Sequence, residues 1–317
     1  MKRTLEDLRP MIGQTPLVKI FYKFKGEERA SYFKPEWMNL SGSIKDRVAF
    51  GIIENAYKTG ALQPGQVIVE TTSGNMGLSF CAVGAFLGHK VVIFMPEFMS
   101  KERKDLIRLY GAELVLGKSF KECFKMAEEY AKEHNAFMPK QFENEFNVKA
   151  QTETTAVEIA HQADDCITGV VAGVGTGGTV IGLAKYFKAI DKNIKAFAVE
   201  PLQSSLLTLG RSKGKHKIQG LSDEIIPAIY DKDLVDEVIG VNDYDSIAMA
   251  QKLSMQLGLP VGISGGANFL GSVLTGLNNT VSVFADDNKK YLSSDLAVPT
   301  KSELVDQIEL IGYKSFR

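Results

Sequence analysis

Three short segments of this 317-residue chain carry residues whose types and spacing could do chemistry. In the first, Asn39 to Ser43 reads as a loop, and an apolar helical pattern then runs through Val48, Phe50, Ile52, Ile53 and Ala56. Ser43 suits the N-cap and Asp46 the first turn, whereas Lys45 places a cation at the positive end of the helix dipole. Such a lysine is better accounted for if its amine is neutral or bonded, and a Schiff base with an aldehyde is one such state.

The second segment, Val67 to Gly77, reads as a buried strand, a tight turn (Thr71-Thr72-Ser73-Gly74-Asn75) and then an apolar helix. The turn aims backbone N–H groups and hydroxyls at one point, which suits a carboxylate or a phosphate. The third, Val170 to Thr179, repeats strand, glycine-rich loop and helix, and Gly173, Gly175, Gly177 and Gly178 let the backbone approach an anion. Gly173, Gly175 and Gly178 also satisfy G-x-G-x-x-G, and Glu200 lies near the distance of a ribose-binding acid. An NAD-dependent oxidoreductase is therefore an alternative. It leaves Lys45 and the Thr72–Gly77 turn unexplained, and it places the fingerprint past mid-chain.

The elements that must hold these loops alternate in kind. Strands are expected at 30–33, 67–69, 91–94, 113–116, 169–171, 196–199 and 281–284, with helical patterns between them. Such alternation implies an α/β fold of parallel sheets with helices on both faces, and both loops fall at the carboxyl ends of strands, where ligands bind. The run from Lys121 to His134 reads as an amphipathic helix with a solvated face. A net charge of −1 argues against nucleic acid or an anionic membrane as partner. No segment has the length of a membrane span, and Met1-Lys2-Arg3-Thr4 does not open a signal peptide. Cys81, Cys123 and Cys166 are widely spaced and read as reduced thiols of a cytoplasmic protein. His89, His134, His161 and His216 lack metal-ligand spacing, so no metal site is expected.

Taken in order, these segments resemble the cysteine synthase (O-acetylserine sulfhydrylase) family, the β-replacement enzymes that use pyridoxal 5'-phosphate in a tryptophan-synthase-β-like fold. The resemblance begins at Gly13-Gln14-Thr15-Pro16-Leu17 and runs through Ser43-Ile44-Lys45-Asp46-Arg47, Thr72-Ser73-Gly74-Asn75 and Gln141-Phe142-Glu143-Asn144. It continues through Gly175-Thr176-Gly177-Gly178-Thr179, His216-Lys217-Ile218-Gln219-Gly220, Ser264-Gly265-Gly266 and Asp286 to Leu292. It implies PLP fold type II: two sheet domains with the cofactor in the cleft between them. Residues 41–150 would form the smaller, movable domain, and 1–40 with 151–317 the larger. A homodimer acting on a small amino acid is the expected assembly.

The resemblance also implies roles. Lys45 would hold the cofactor and later act as general base at Cα. Asn75 would meet the phenolic oxygen, Gly175, Thr176, Gly177, Gly178 and Thr179 the phosphate, and Ser264 the pyridine nitrogen. Thr72, Ser73, Asn75, Met76 and Gln141 would take the substrate carboxylate. A neutral hydroxyl at the ring nitrogen weakens the electron sink and favours elimination at Cβ, through an α-aminoacrylate, over transamination.

Two departures bear on the substrate. Met76 stands where the family usually has threonine. After Gly220 the family commonly continues with small residues (Ile-Gly-Ala-Gly-like), and this chain has Leu221-Ser222-Asp223-Glu224. An acid there repels hydrosulfide, and Asp223 could deprotonate a neutral nucleophile. The favoured reaction is L-cysteine plus water giving L-serine and hydrogen sulfide, with O-acetyl-L-serine sulfhydrylation as the alternative.

Overall fold

Strands written as near-continuous apolar runs must be buried on both faces, and two such sets organise this chain. The computed structural model describes residues 3–210, 214–222 and 225–317. Its strands are β1 (Leu17–Phe24), β2 (Glu27–Pro35), β3 (Ile68–Thr71), β4 (Val91–Pro96), β5 (Glu113–Gly117), β6 (Gly169–Gly173), β7 (Lys195–Pro201), β8 (Glu237–Val241), β9 (Thr280–Phe284) and β10 (Ile308–Phe316). Seven form one sheet in the order β10-β1-β2-β9-β6-β7-β8, and three form a parallel sheet in the order β3-β4-β5.

All seven expected strands are present, and the larger sheet adds three. It is parallel from β2 to β8, while β1 pairs antiparallel with both β2 and β10. β1 was not legible because lysines interrupt its apolar run, although Lys19 is buried against Asp164 and Asp165. β8 and β10 lie at the sheet edges, where strands are short or charged and the apolar pattern is weak.

Each sheet has its own core. Phe33 lies nearly parallel to Phe284 and Phe269, at ring-centroid distances of 4.6 and 5.2 Å, in the core of the larger sheet. Val48, Ile53, Phe80, Ile93 and Ile107 pack in the core beside the smaller sheet, and Leu8 joins them. Helix Phe120–His134 buries Phe120, Cys123, Ala127 and Ala131 and leaves its charges outward, as its pattern requires. Cys81 and Cys123 are buried free thiols, and burial pushes Cys81 up to about 12; Cys166, also free, is exposed.

A buried ionic cluster ties the two cores together. Arg47 donates Nε and a terminal nitrogen to the two Glu36 oxygens at 2.7 and 2.9 Å, and it donates to both Glu158 oxygens at 2.6 and 2.7 Å. Lys34 donates to Glu158 at 2.8 Å and to the Thr15 carbonyl at 2.6 Å. Burial alone would raise the Glu158 carboxyl, yet Arg47 and Lys34 bring it down to about 2 from an ordinary 4.5. A depressed carboxyl pKa contributes stability above the unfolded value, and that contribution disappears as pH falls through the folded one. Stability is therefore expected to fall by about 2 kcal/mol on this account between pH 5 and pH 3. Urea titrations across that range check it: Glu158→Gln should be less stable at neutral pH and show a shallower acid loss.

Candidate active site

The carboxyl ends of β3, β6 and β9 face one cleft of about 700 Å³. β6 and β9 are neighbours in the sheet although β7 and β8 intervene in the chain. The cleft therefore opens where strand order reverses, the place at which open α/β sheets bind ligands. Lys45, Thr72, Ser73, Asn75, Met76, Gln141, Gly175, Thr176, Gly177, Thr179 and Ser264 all line it. Gly178 is not among the lining residues and opens the helix that follows this loop, and Asp223 and Glu224 fall outside the described residues.

Helix Lys45–Thr59 is held from both sides of Lys45. The N-cap position is taken by Ile44 and not, as expected, by Ser43, which lies one residue further out; its hydroxyl still accepts the Lys45 amide at 3.3 Å. Asp46 turns back to accept the Ser41 amide and hydroxyl at 2.8 and 2.6 Å, and Arg47 is committed to Glu36 and Glu158. Successive helical residues point about 100° apart. With its two successors fixed inward, half-buried Lys45 lines the cleft.

The turn after β3 is shaped by a residue with no sequence signal, Arg103 of helix Lys101–Leu109. Gly74 adopts φ +146°, and a Cβ there would lie 2.4 Å from Arg103 Cδ, so the turn needs glycine. Arg103 is 1% exposed; it donates to the Ser73 carbonyl at 3.1 Å, to Gln219 Oε1 at 2.9 Å and to the Tyr291 hydroxyl at 2.7 Å. Met76 is buried in the smaller core and also reaches the cleft. Gln141 is fixed by Nε2–H to the Thr71 carbonyl at 2.9 Å, and its backbone N–H donates to Glu70 Oε2 at 3.2 Å. Glu70 is fully buried; desolvation pushes its carboxyl up to about 8, against the backbone donors that favour its charge. A charged residue closing an otherwise apolar strand was the one available signal for Glu70.

The loop after β6 wraps an open space at the N-terminus of helix Gly178–Ile190. A Cβ on Gly175 would lie 2.1 Å from the Gly220 carbonyl oxygen, so the turn Gln219-Gly220-Leu221 packs directly on this loop. Ser222 continues that contact, donating its N–H to the Val174 carbonyl at 2.9 Å. It adopts φ +52° and its hydroxyl is held by Ser204 at 2.9 and 3.0 Å, which offsets the strain of a left-handed serine. Asn147 bridges this loop to the segment of Gln141, donating to both Thr176 Oγ1 and the Gln141 carbonyl at 2.9 Å.

These residues fit pyridoxal phosphate. An amine, an anion cradle at a helix N-terminus, a hydroxyl on a second helix start (Ser264) and an amide (Asn75) converge on one cleft. The dinucleotide alternative fares worse. Glu200 is buried, with its carboxylate accepting the Leu207 and Thr208 amides at 2.7 and 3.3 Å, so it serves its own helix start and not a ribose. Thr179→Val removes a hydroxyl from the cradle while keeping its shape. It is expected to weaken cofactor affinity roughly tenfold or more with little change in thermal stability, as equilibrium dialysis and a melting curve would show.

Known proteins agree with this geometry. A family model described as pyridoxal-phosphate dependent enzyme matches residues 8–283. The cysteine synthase of Staphylococcus aureus is 37% identical over 304 residues, covering 93% of this chain and 98% of the relative. The structure of a hydrogen sulfide-producing enzyme from Fusobacterium nucleatum superposes with TM-score 0.93 at 42% identity, covering 96% of each chain. An aspartate-to-asparagine variant of that enzyme has been solved with an alpha-aminoacrylate intermediate. Cysteine synthase from Entamoeba histolytica gives TM-score 0.86 at 36% identity, over 96% and 95% of the two chains. By the extent of these matches, the chain belongs to the cysteine synthase family of pyridoxal-phosphate dependent enzymes.

Proposed function

We propose that this enzyme, which acts at the β-carbon of its substrate, takes L-cysteine, releases hydrogen sulfide and adds water to give L-serine. The observation that carries this reading is the wall formed by Gln219, Gly220 and Leu221, which leads the chain from the cleft directly into Asp223-Glu224. Family members commonly have small uncharged residues there. The hydrogen sulfide-producing enzyme of F. nucleatum, so similar over its whole length, supports the same direction.

Bound pyridoxal phosphate supplies the aldehyde that takes up an amine and the conjugated ring that accepts the electron pair left at Cα. In our reading Lys45 would hold the cofactor through its aldehyde, and its amine would take the Cα proton of the substrate. Thr72, Ser73, Gln141 and the Asn75 and Met76 amides bind the substrate carboxylate and set the Cα–H bond toward Lys45. The Gly175–Thr179 loop holds the phosphate, and Ser264 offers the ring nitrogen a neutral hydroxyl. Asp223 takes the proton of the incoming water. In our reading, which rests on the family resemblance, residues 41–150 form the smaller, movable domain, and the ion pairs of Arg47 with Glu36 and Glu158 join it to the larger one. None of the helices among the described residues is long and apolar enough to cross a membrane. We read the protein as a cytoplasmic homodimer, on its free cysteines for the compartment and on the family resemblance for the assembly.

The 37% identity to cysteine synthase keeps O-acetylserine sulfhydrylation as the second reading. Incubating the enzyme with cysteine alone, and separately with O-acetylserine plus sulfide, distinguishes them. Serine and sulfide from the first mixture at the faster rate support the proposal; cysteine from the second, with no serine from the first, gives the sulfhydrylase.

A further inference from the structure

Asn75 is gripped at both ends of its amide. Its Oδ1 accepts from Lys290 Nζ at 3.0 Å, and its Nδ2 donates to Asp286 Oδ2 at 2.8 Å. Both partners are buried, Lys290 at 4% and Asp286 at 1% exposure, and both come from the segment that follows β9. Lys290 Nζ also donates to the Gly42 carbonyl at 2.9 Å, and its own carbonyl accepts the Ser100 hydroxyl at 3.1 Å. Asp286 accepts the Tyr291 hydroxyl at 2.9 Å and lies 3.5 Å from the Arg103 guanidinium.

We propose that Lys290 and Asp286 are positioning residues that fix which end of the Asn75 amide faces the cofactor ring. Rotating the amide by half a turn would set its oxygen against the Asp286 carboxylate and its N–H against the Lys290 ammonium, two repulsive contacts in a buried place. In the observed orientation one N–H of Nδ2 is committed to Asp286 and the second remains for the cleft that Asn75 lines. The ammonium on Oδ1 draws electron density from the amide, which strengthens that second N–H as a donor to an anionic oxygen. The same cluster continues through Arg103 to the Ser73 carbonyl, so the amide and the carboxylate turn share one support. Lys290 itself is held below the usual lysine range, by burial first, with Asp286 and Asp46 opposing the shift. Its role is therefore exerted through Asn75. The proposal rests on the reading that Asn75 bonds the cofactor's phenolic oxygen.

The test uses the holoenzyme and reads the visible absorption maximum and the cofactor Kd, not turnover. Asn75→Ala and Lys290→Met should displace the band in the same direction and each raise Kd roughly tenfold, the equivalent of one hydrogen bond to a charged group. The double variant should move no further than Asn75→Ala, because Lys290 acts only through the amide. Lys290→Arg should restore the wild-type band. An unmoved band in Lys290→Met, or shifts that add in the double variant, would overturn the proposal while leaving the Asn75 contact intact. An unmoved band in Asn75→Ala would instead remove the contact itself. If Lys290→Met does not fold, Lys290→Gln serves: it should shift the band the same way by less, and no shift overturns the clamp.

Discussion

Lys45→Ala abolishes breakdown of cysteine, by at least the ~10²- to 10⁴-fold that follows loss of a general base. The expected loss is larger than that range because, in the proposed mechanism, the same amine also carries the cofactor. The position is prepared for this use. Asp46 and Arg47 are both buried and hydrogen-bonded, so the helix start cannot turn Lys45 away from the cleft. Borohydride reduction of the wild-type holoenzyme, followed by peptide mapping, should place the pyridoxyl label on Lys45, and the alanine variant should lack it. A label on Lys290, the buried ammonium nearest Asn75, would overturn the assignment.

Asp223→Asn separates the two half-reactions. Lys45 still removes the Cα proton, so hydrogen sulfide is released in a single burst. In the proposed mechanism the following addition of water has then lost its proton acceptor and should slow by ~10²- to 10⁴-fold, so the product of the first half-reaction accumulates. Asp223→Gly removes charge and bulk together. A unit charge ~4 Å from an incoming hydrosulfide costs about 1 to 4 kcal/mol between aqueous and surface dielectrics, so this variant should gain sulfhydrylase activity. Rapid-scan absorbance after mixing with cysteine, with serine measured as product, checks both. If the asparagine variant turns over cysteine at an undiminished rate, Asp223 takes no part and the sulfhydrylase reading comes first. The packing of Gly220 and Ser222 on the loop after β6 makes this test informative, since the backbone is anchored up to the residue before Asp223.

Read alone, the amino-acid sequence determined the components: a lysine at a helix start, two strand–turn–helix units with hydroxyls and glycines, and the alternation that makes parallel sheets. These are local properties, because periodicity, caps and glycine turns are written in neighbouring residues. The family resemblance rested on the same local segments. Tertiary structure decided what no window of sequence contains. Arg103 and Ser73 are 30 residues apart, and Asn75 and Asp286 are 211 apart, yet each pair shares a hydrogen bond. Glu70 carried no role in the sequence, and the fold set its carboxylate to accept the Gln141 amide. Glu200 fitted a ribose by spacing, and the fold instead gave its oxygens to the helix start at Leu207. β1 kept Lys19 inside because Asp164 and Asp165 arrive from a distant loop to neutralise it. In each case a buried polar group needs a partner, and only the folded chain determines which one comes within reach.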